Sequence, residues 1–277
     1  MPSPPGPSPA HPLLRLLELE PKGRDRYVAA TPSDGPSRLF GGQVASQSLR
    51  AATLTVEPER HANSMHAYFV RPGTPEVPLE LEVHRVRDGR SFSIRQVTAS
   101  QGGDEIFVLG ASFHVAEEGD DWQLPAPAGV PGPDDTADFE SPLGRFSSMS
   151  PFDLRPVRTG AAFPVMHPFW VRTKERLDDD PALHACVVAF ISDMGVVGSA
   201  RGPSSTAVPF AGASLDHAVW FHRPVRADEW LLFSVAPVTN AAARGLALGT
   251  MHTGDGVHAA SVVQEALLRP TRTTPLP

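Results

Sequence analysis

The chain is short of the residues that several function classes require. It has one cysteine, Cys186, in 277 residues, which excludes an intrachain disulfide framework and an all-cysteine zinc site. A single thiol suits a reducing compartment, so a cytoplasmic location is expected. Positive charge is scarce: 24 Lys and Arg face 31 Asp and Glu, for a formal net charge of −7 and a pI near 5.9. That balance excludes broad electrostatic attraction to nucleic acid or to an anionic membrane, and an anionic ligand would need a local basic patch. Long apolar runs are missing as well. The longest, Ala185 to Ala200, is too short to span a bilayer and is broken by Asp193. The opening "MPSPPGPSPAHP" lacks the basic and apolar regions of a secretory signal, so residues 1–12 read as a disordered proline-rich tail. Residues 271–277, "TRTTPLP", read as a second tail, without a prenylation box or a peroxisomal tripeptide. Neither HExxH nor a Cys/His cluster occurs, so neither a metal nor another cofactor is expected. The absence of a Gly-X-Ser-X-Gly elbow argues against a nucleophilic serine hydrolase.

What is present has a plan. A stretch rich in Pro, Gly and acids, from Glu117 to about Leu143, reads as a linker at 117–147 between halves at 13–116 and 148–270. Each half runs from an apolar helix into several strands. In the first, "FGGQVASQSLRAATLTV" gives a helix with Gly41 and Gly42 at its entry. Strands follow at "SMHAYFVRPG", "LELEVHRVRDG", "SFSIRQVTAS" and "EIFVLGASFHV", with turn chemistry at Asp88-Gly89 and Gly102-Gly103. In the second, "PFWVRTKERL" reads as a strand. "DDDPALHACVVAFISDMG" reads as a helix capped by Asp180, with Pro181 at its first position and Gly195 as its stop. Strands are expected at "SLDHAVWFHRP", "EWLLFSVAPV", "GLALGTMHT" and "VHAASVVQEALLR", with a turn at Gly254–Gly256. "YFVRP" and "WFHRP" superpose with Arg71 and Arg223 152 positions apart, which marks an internal duplication. A helix that is apolar nearly all round must be enclosed, most simply by an antiparallel sheet.

Asp193 is the odd residue of this pattern, a lone carboxylate in "VVAFISDMGVVG" on the side of Cys186 and Phe190. Its bland explanation is a helix-end carboxylate paired with a loop donor such as Arg201. The alternative is a general base whose pKa is raised by partial burial. Gln264 alternates in phase with Val262, Ala266 and Leu268, so an inward amide in need of partners is expected there. Asp216 and His217 beside Ser214 imitate a triad in sequence, but neighbouring strand residues point oppositely and the imitation is discounted.

The motifs "LFGGQVASQSL", "HAYFVRPG", "RVRDGRSFSIRQVTASQ", "SDMG", "SLDHAVWFHRP" and "QEALLR" together resemble the acyl-CoA thioesterase II family over Leu39 to Arg269. The resemblance implies an α+β double hot-dog: two tandem repeats of a long helix wrapped by antiparallel sheet, joined into one continuous sheet. It implies acyl-CoA as substrate, hydrolysis by water without an acyl-enzyme, and homo-oligomers. It further implies that Asp193, Ser214 and Gln264 hold the water. Ser214 stands where the family often has Thr; it keeps the hydroxyl and loses the β-methyl that fixes the rotamer. Gly41, Gly42 and Gln43 could present helix N-terminal N–H groups to an oxyanion, or the glycines could serve close packing alone. The first helix carries no Asp or Glu, and the positions matching Ser214 and Gln264 are Ala62 and about Ala111, so one live site per chain is expected. Two rival readings are a hot-dog acyl-thioester hydratase or dehydratase, which needs a His/Asp pair, and a non-catalytic acyl-CoA binding protein.

Overall fold

The computed structural model describes residues 12–32, 37–136, 149–157, 167–202 and 210–270. Residues 1–11 of the expected tail at 1–12, the tail at 271–277 and the linker beyond residue 136 lie outside the described residues, while Pro12 belongs to a helix and not to a tail. The chain begins with a short helix, α1 (Pro12–Leu17), and a hairpin of β1 (Leu19–Gly23) and β2 (Arg26–Ala29). The sequence reading did not foresee these, although Leu13, Leu16 and Leu17 are all buried at helical spacing. The first central helix, α2 (Gly41–Thr53), leads into β3 (Arg60–Phe69), β4 (Leu79–Asp88), β5 (Phe92–Gln101) and β6 (Asp104–Val115). After an unforeseen β7 (Phe152–Pro156) and β8 (Phe169–Thr173) comes the second central helix, α3 (Pro181–Ile191), then one turn, α4 (Val196–Ser199). The second meander is β9 (Phe210–Ser214), β10 (Asp216–Phe221), β11 (Leu231–Ala241), β12 (Arg244–Thr253) and β13 (His258–Pro270).

Among the described residues these strands form one continuous, open antiparallel sheet, in the order β1-β2-β4-β5-β6-β3-β10-β13-β12-β11-β8-β7, with β9 also on β13. The order is a palindrome about the β3–β10 seam: 4-5-6-3 on one side answers 11-12-13-10 on the other. Register shows the duplication residue by residue. His66 faces Gly110 in the first copy and Ala218 faces Val263 in the second. The same registers set Ala62 opposite Phe113 and Ser214 opposite Ala266. Carried one residue along, they put Gln264 at the position of Ala111. The irregularity of β3 between Ala62 and Ser64 falls where Leu215 separates β9 from β10. This is the double hot-dog arrangement.

The central helices lie on the sheet and against each other. From Gly42 to Leu49 every residue of α2 is buried, and small side chains dominate the run. Their size lets the helices touch. A Cβ on Gly42 would sit 2.4 Å from the Phe190 carbonyl oxygen, and Ser46 Oγ donates to the Cys186 carbonyl at 2.6 Å. Asp180 caps α3 as expected, accepting from the Ala182 N–H at 2.9 Å with Pro181 at the first helical position. The helix is shorter than the sequence suggests. It ends at Ile191 with Ser192 as cap, and the chain then turns through Gly195, whose left-handed φ of 74° opens α4. Asp193 therefore lies one residue beyond the cap, not on the helix. No described helix is long and apolar enough to cross a membrane.

Candidate active site

The turn after α3 delivers Asp193 to the N-terminus of α2, with only 7% of its surface exposed. Oδ2 accepts the Gly42 N–H at 2.9 Å, while Oδ1 is buried without a hydrogen-bond partner among the described residues. The approach requires glycine twice. A Cβ on Gly41 would meet Asp193 Oδ2 at 2.8 Å and the Phe69 ring at 2.7 Å, and one on Gly42 would strike Phe190. A helix N-terminus favours a nearby negative charge. Burial opposes ionisation more strongly and pushes the pKa of Asp193 up to about 7, although Gln264, the Gly42 N–H and the Ser214 hydroxyl each pull it down. No cation among the described residues contributes to that balance. The bland expectation of a loop-paired carboxylate gives way to a buried one met by the other half's helix.

Ser214 is half-buried and is the last residue of β9 rather than the first of a strand, because pairing with β13 extends back to Phe210. Gln264 is fully buried on β13, in phase with buried Val262 and Ala266. Its Nε2 donates to Ser214 Oγ at 2.7 Å. The expected inward amide thus bonds to side chains and not to backbone. Asp193, Ser214 and Gln264 come from a turn and two adjacent strands, and the fold brings all three together. Aromatic rings flank the turn: Phe190 stands 5.1 Å from Phe40 and 5.2 Å from Phe152.

The residues at the entry of α2 are already engaged. The Gly42 N–H is given to Asp193, and the Gln43 N–H reaches the Phe40 carbonyl at 3.1 Å. The Gln43 amide, almost fully buried, donates to Gln47 Oε1 at 3.4 Å. Gly41, at the first helical position, has no intrahelical acceptor for its N–H.

Sequence reasoning passed over two members of the cluster. His217 is fully buried, with Nδ1 2.6 Å from Gln264 Oε1 and Nε2 2.7 Å from Ser192 Oγ. The available signal was its alternation with Val219, which sets both inward. Setting the triad aside was sound. Asp216 accepts the Glu265 N–H at 2.7 Å, and His217 bonds to Gln264 rather than to Ser214. The site therefore offers a carboxylate with a pKa near neutrality beside a neutral hydroxyl and a neutral amide. It does not offer a serine activated by an imidazole.

Comparison with known proteins gives this geometry a context. Residues 31–114 match the family described as acyl-CoA thioesterase N-terminal domain, and residues 141–267 match the family described as acyl-CoA thioesterase. The chain is 36% identical to acyl-coenzyme A thioesterase 8 of Mus musculus, over 92% of this chain and 88% of that protein. It is 32% identical to acyl-CoA thioesterase 2 of Haemophilus influenzae, over 93% of this chain and 96% of that protein. Among solved structures it is similar to the acyl-CoA thioesterase II TesB2 of Mycobacterium marinum, with a TM-score of 0.80 and 37% identity. That likeness covers 94% of this chain and 98% of the other.

Proposed function

Because the chain belongs to the acyl-CoA thioesterase family and is an enzyme hydrolysing acyl-CoA thioesters, we propose that Asp193 is the general base of that hydrolysis. Ser214 and Gln264 hold the attacking water beside it. The observation that carries this reading is a buried carboxylate poised at about 7, with one oxygen unpartnered among the described residues, next to the Ser214–Gln264 pair. Asp193 takes a proton as the water oxygen bonds to the thioester carbonyl carbon. The tetrahedral intermediate expels the CoA sulfur by breaking the C–S bond, and the proton passes to the departing thiolate. Free acid and CoA thiol result, with one water consumed. The Gly41 N–H, at the positive end of α2, is the oxyanion donor in this reading. Gly42 instead holds the base in place, and Gln43 has no part in the chemistry.

The test is thiol release across a panel of acyl-CoA chain lengths, with Asp193→Asn as control. A folded Asp193→Asn enzyme should lose about 10²–10⁴-fold in kcat, and near-normal turnover would overturn the assignment. The reading also includes a cytoplasmic setting and self-association of the chain. Light scattering on the purified protein tests the second, and a monomer would exclude it.

A further inference from the structure

A fully buried imidazole lies behind the proposed water site and has no part in the steps above. Burial pushes the pKa of His217 down to about 4, so the ring is neutral at neutral pH, with one nitrogen donating and the other accepting. Its two neighbours leave two self-consistent arrangements.

In the first, Nδ1 carries the proton and donates to Gln264 Oε1, and Nε2 accepts from Ser192 Oγ. The Gln264 NH₂ group is then turned outward, donating to Ser214 Oγ at 2.7 Å and favouring the Asp193 carboxylate. In the second, the ring proton sits on Nε2 and is given to Ser192 Oγ, whose own proton goes to the Ala189 carbonyl 2.8 Å away. The Gln264 amide must then flip, so that its NH₂ serves Nδ1 and its oxygen faces Ser214 and Asp193. An acceptor oxygen set against a buried carboxylate repels the ionised form that a base requires. The tautomer of one histidine thus decides whether Gln264 supports or opposes the base.

We propose that His217 is a positioning residue whose Nδ1–H fixes the orientation of the Gln264 amide. The inference rests on the Asp193, Ser214 and Gln264 reading above. His217 touches neither substrate nor water and acts through Gln264.

The test uses His217→Leu, which removes the donor, and His217→Asn, whose amide N–H stands near the position of Nδ1. Loss of the donor should lower kcat by about 10–10²-fold with little change in KM for acyl-CoA, and His217→Asn should restore most of it. Adding His217→Leu to Gln264→Leu should cost nothing further, since the histidine acts through that amide. Wild-type kcat in folded His217→Leu, or equal impairment of both His217 variants, overturns the proposal. If Asp193→Asn remains active, the underlying reading fails instead. Nitrogen-15 NMR of the wild-type enzyme reads the tautomer without any variant. A proton on Nδ1 supports the proposal, and a proton on Nε2 overturns it.

Discussion

One residue past the cap of each central helix, the two halves place different chemistry. In the first half α2 is capped by Leu54 and followed by Thr55. The Thr55 hydroxyl and carbonyl accept from Arg95 at 2.8 and 3.0 Å, and Arg95 is 1% exposed and paired with Asp88 at 2.7 Å. In the second half the residue past the cap is Asp193. The strands beneath show the same exchange. Arg95 faces Ala111 across β5–β6, whereas Ala247 faces Gln264 across β12–β13, at equivalent positions of the two copies. Large and small have changed places, and a cation has become an amide.

The physical consequence follows directly. A guanidinium beside a buried carboxylate holds it ionised and weakly basic. Without the cation, burial dominates and Asp193 is poised at about 7. The first half uses its polar group to close a helix end; the second keeps its polar group available. Around Ala62, the counterpart of Ser214, lies a cavity of about 240 Å³ lined by Ala182, Phe221, His222 and Arg223, with no acid among its described lining residues.

The comparison breaks most sharply at the two post-cap residues. Asp193→Asn should cost the 10²–10⁴-fold in kcat already given, whereas Thr55→Ala should leave kcat unchanged and cost about 1–3 kcal/mol of stability. Turnover and chemical denaturation of both variants check this. Arg95→Ala should be the most destabilising of the first-half variants, by about 3 kcal/mol, since it orphans the Thr55 acceptors and empties a packed site. Urea unfolding reads that loss, again with kcat intact.

Stability against pH should separate the halves next. Asp193 holds its proton in the folded state up to about 7, against an ordinary 3.8. Its contribution is therefore present below about pH 4 and lost as the pH rises to 7, with a ceiling of about 4 kcal/mol. Asp193→Asn should accordingly raise Tm over wild type at pH 8, with the gap closing toward pH 4. Thr55→Ala should show no such trend in the same calorimetric series. The smallest effect concerns the β11–β12 turn, where Ala242 and Ala243 carry φ of 48° and 57°. The matching Asp88–Ser91 turn uses no positive φ. Ala243→Gly should stabilise by about 0.5–1 kcal/mol, read by thermal melting.

Much of this was legible in the residues because period and turn chemistry are local. Alternation set Gln264 inward, Asp180-Pro181 marked the start of α3, and the 152-residue offset gave Ala62 as one empty counterpart, with the other near Ala111. What stayed hidden depends on contacts between distant segments. Gly42 meets Asp193 across 151 positions, and nothing near either residue announces the other. Arg95 looks like an ordinary alternating strand residue until Thr55 is placed against it. His217 was missed as a member of the cluster because its partners are distant in sequence and its neighbours, Ser214 and Asp216, are not its partners in space. Its partners are Ser192 and Gln264.

The central claim is that the second half carries a base made effective by burial, with no neighbouring cation among the described residues. The pH dependence of kcat/KM for acyl-CoA hydrolysis by the wild-type enzyme tests it most directly, because the acid limb reports the essential base of the free enzyme. The account predicts activity that rises with pH through an apparent pKa of about 7, as Asp193 ionises, and then levels off. A profile already flat from pH 5 upward, with the carboxylate at its ordinary value, would contradict it.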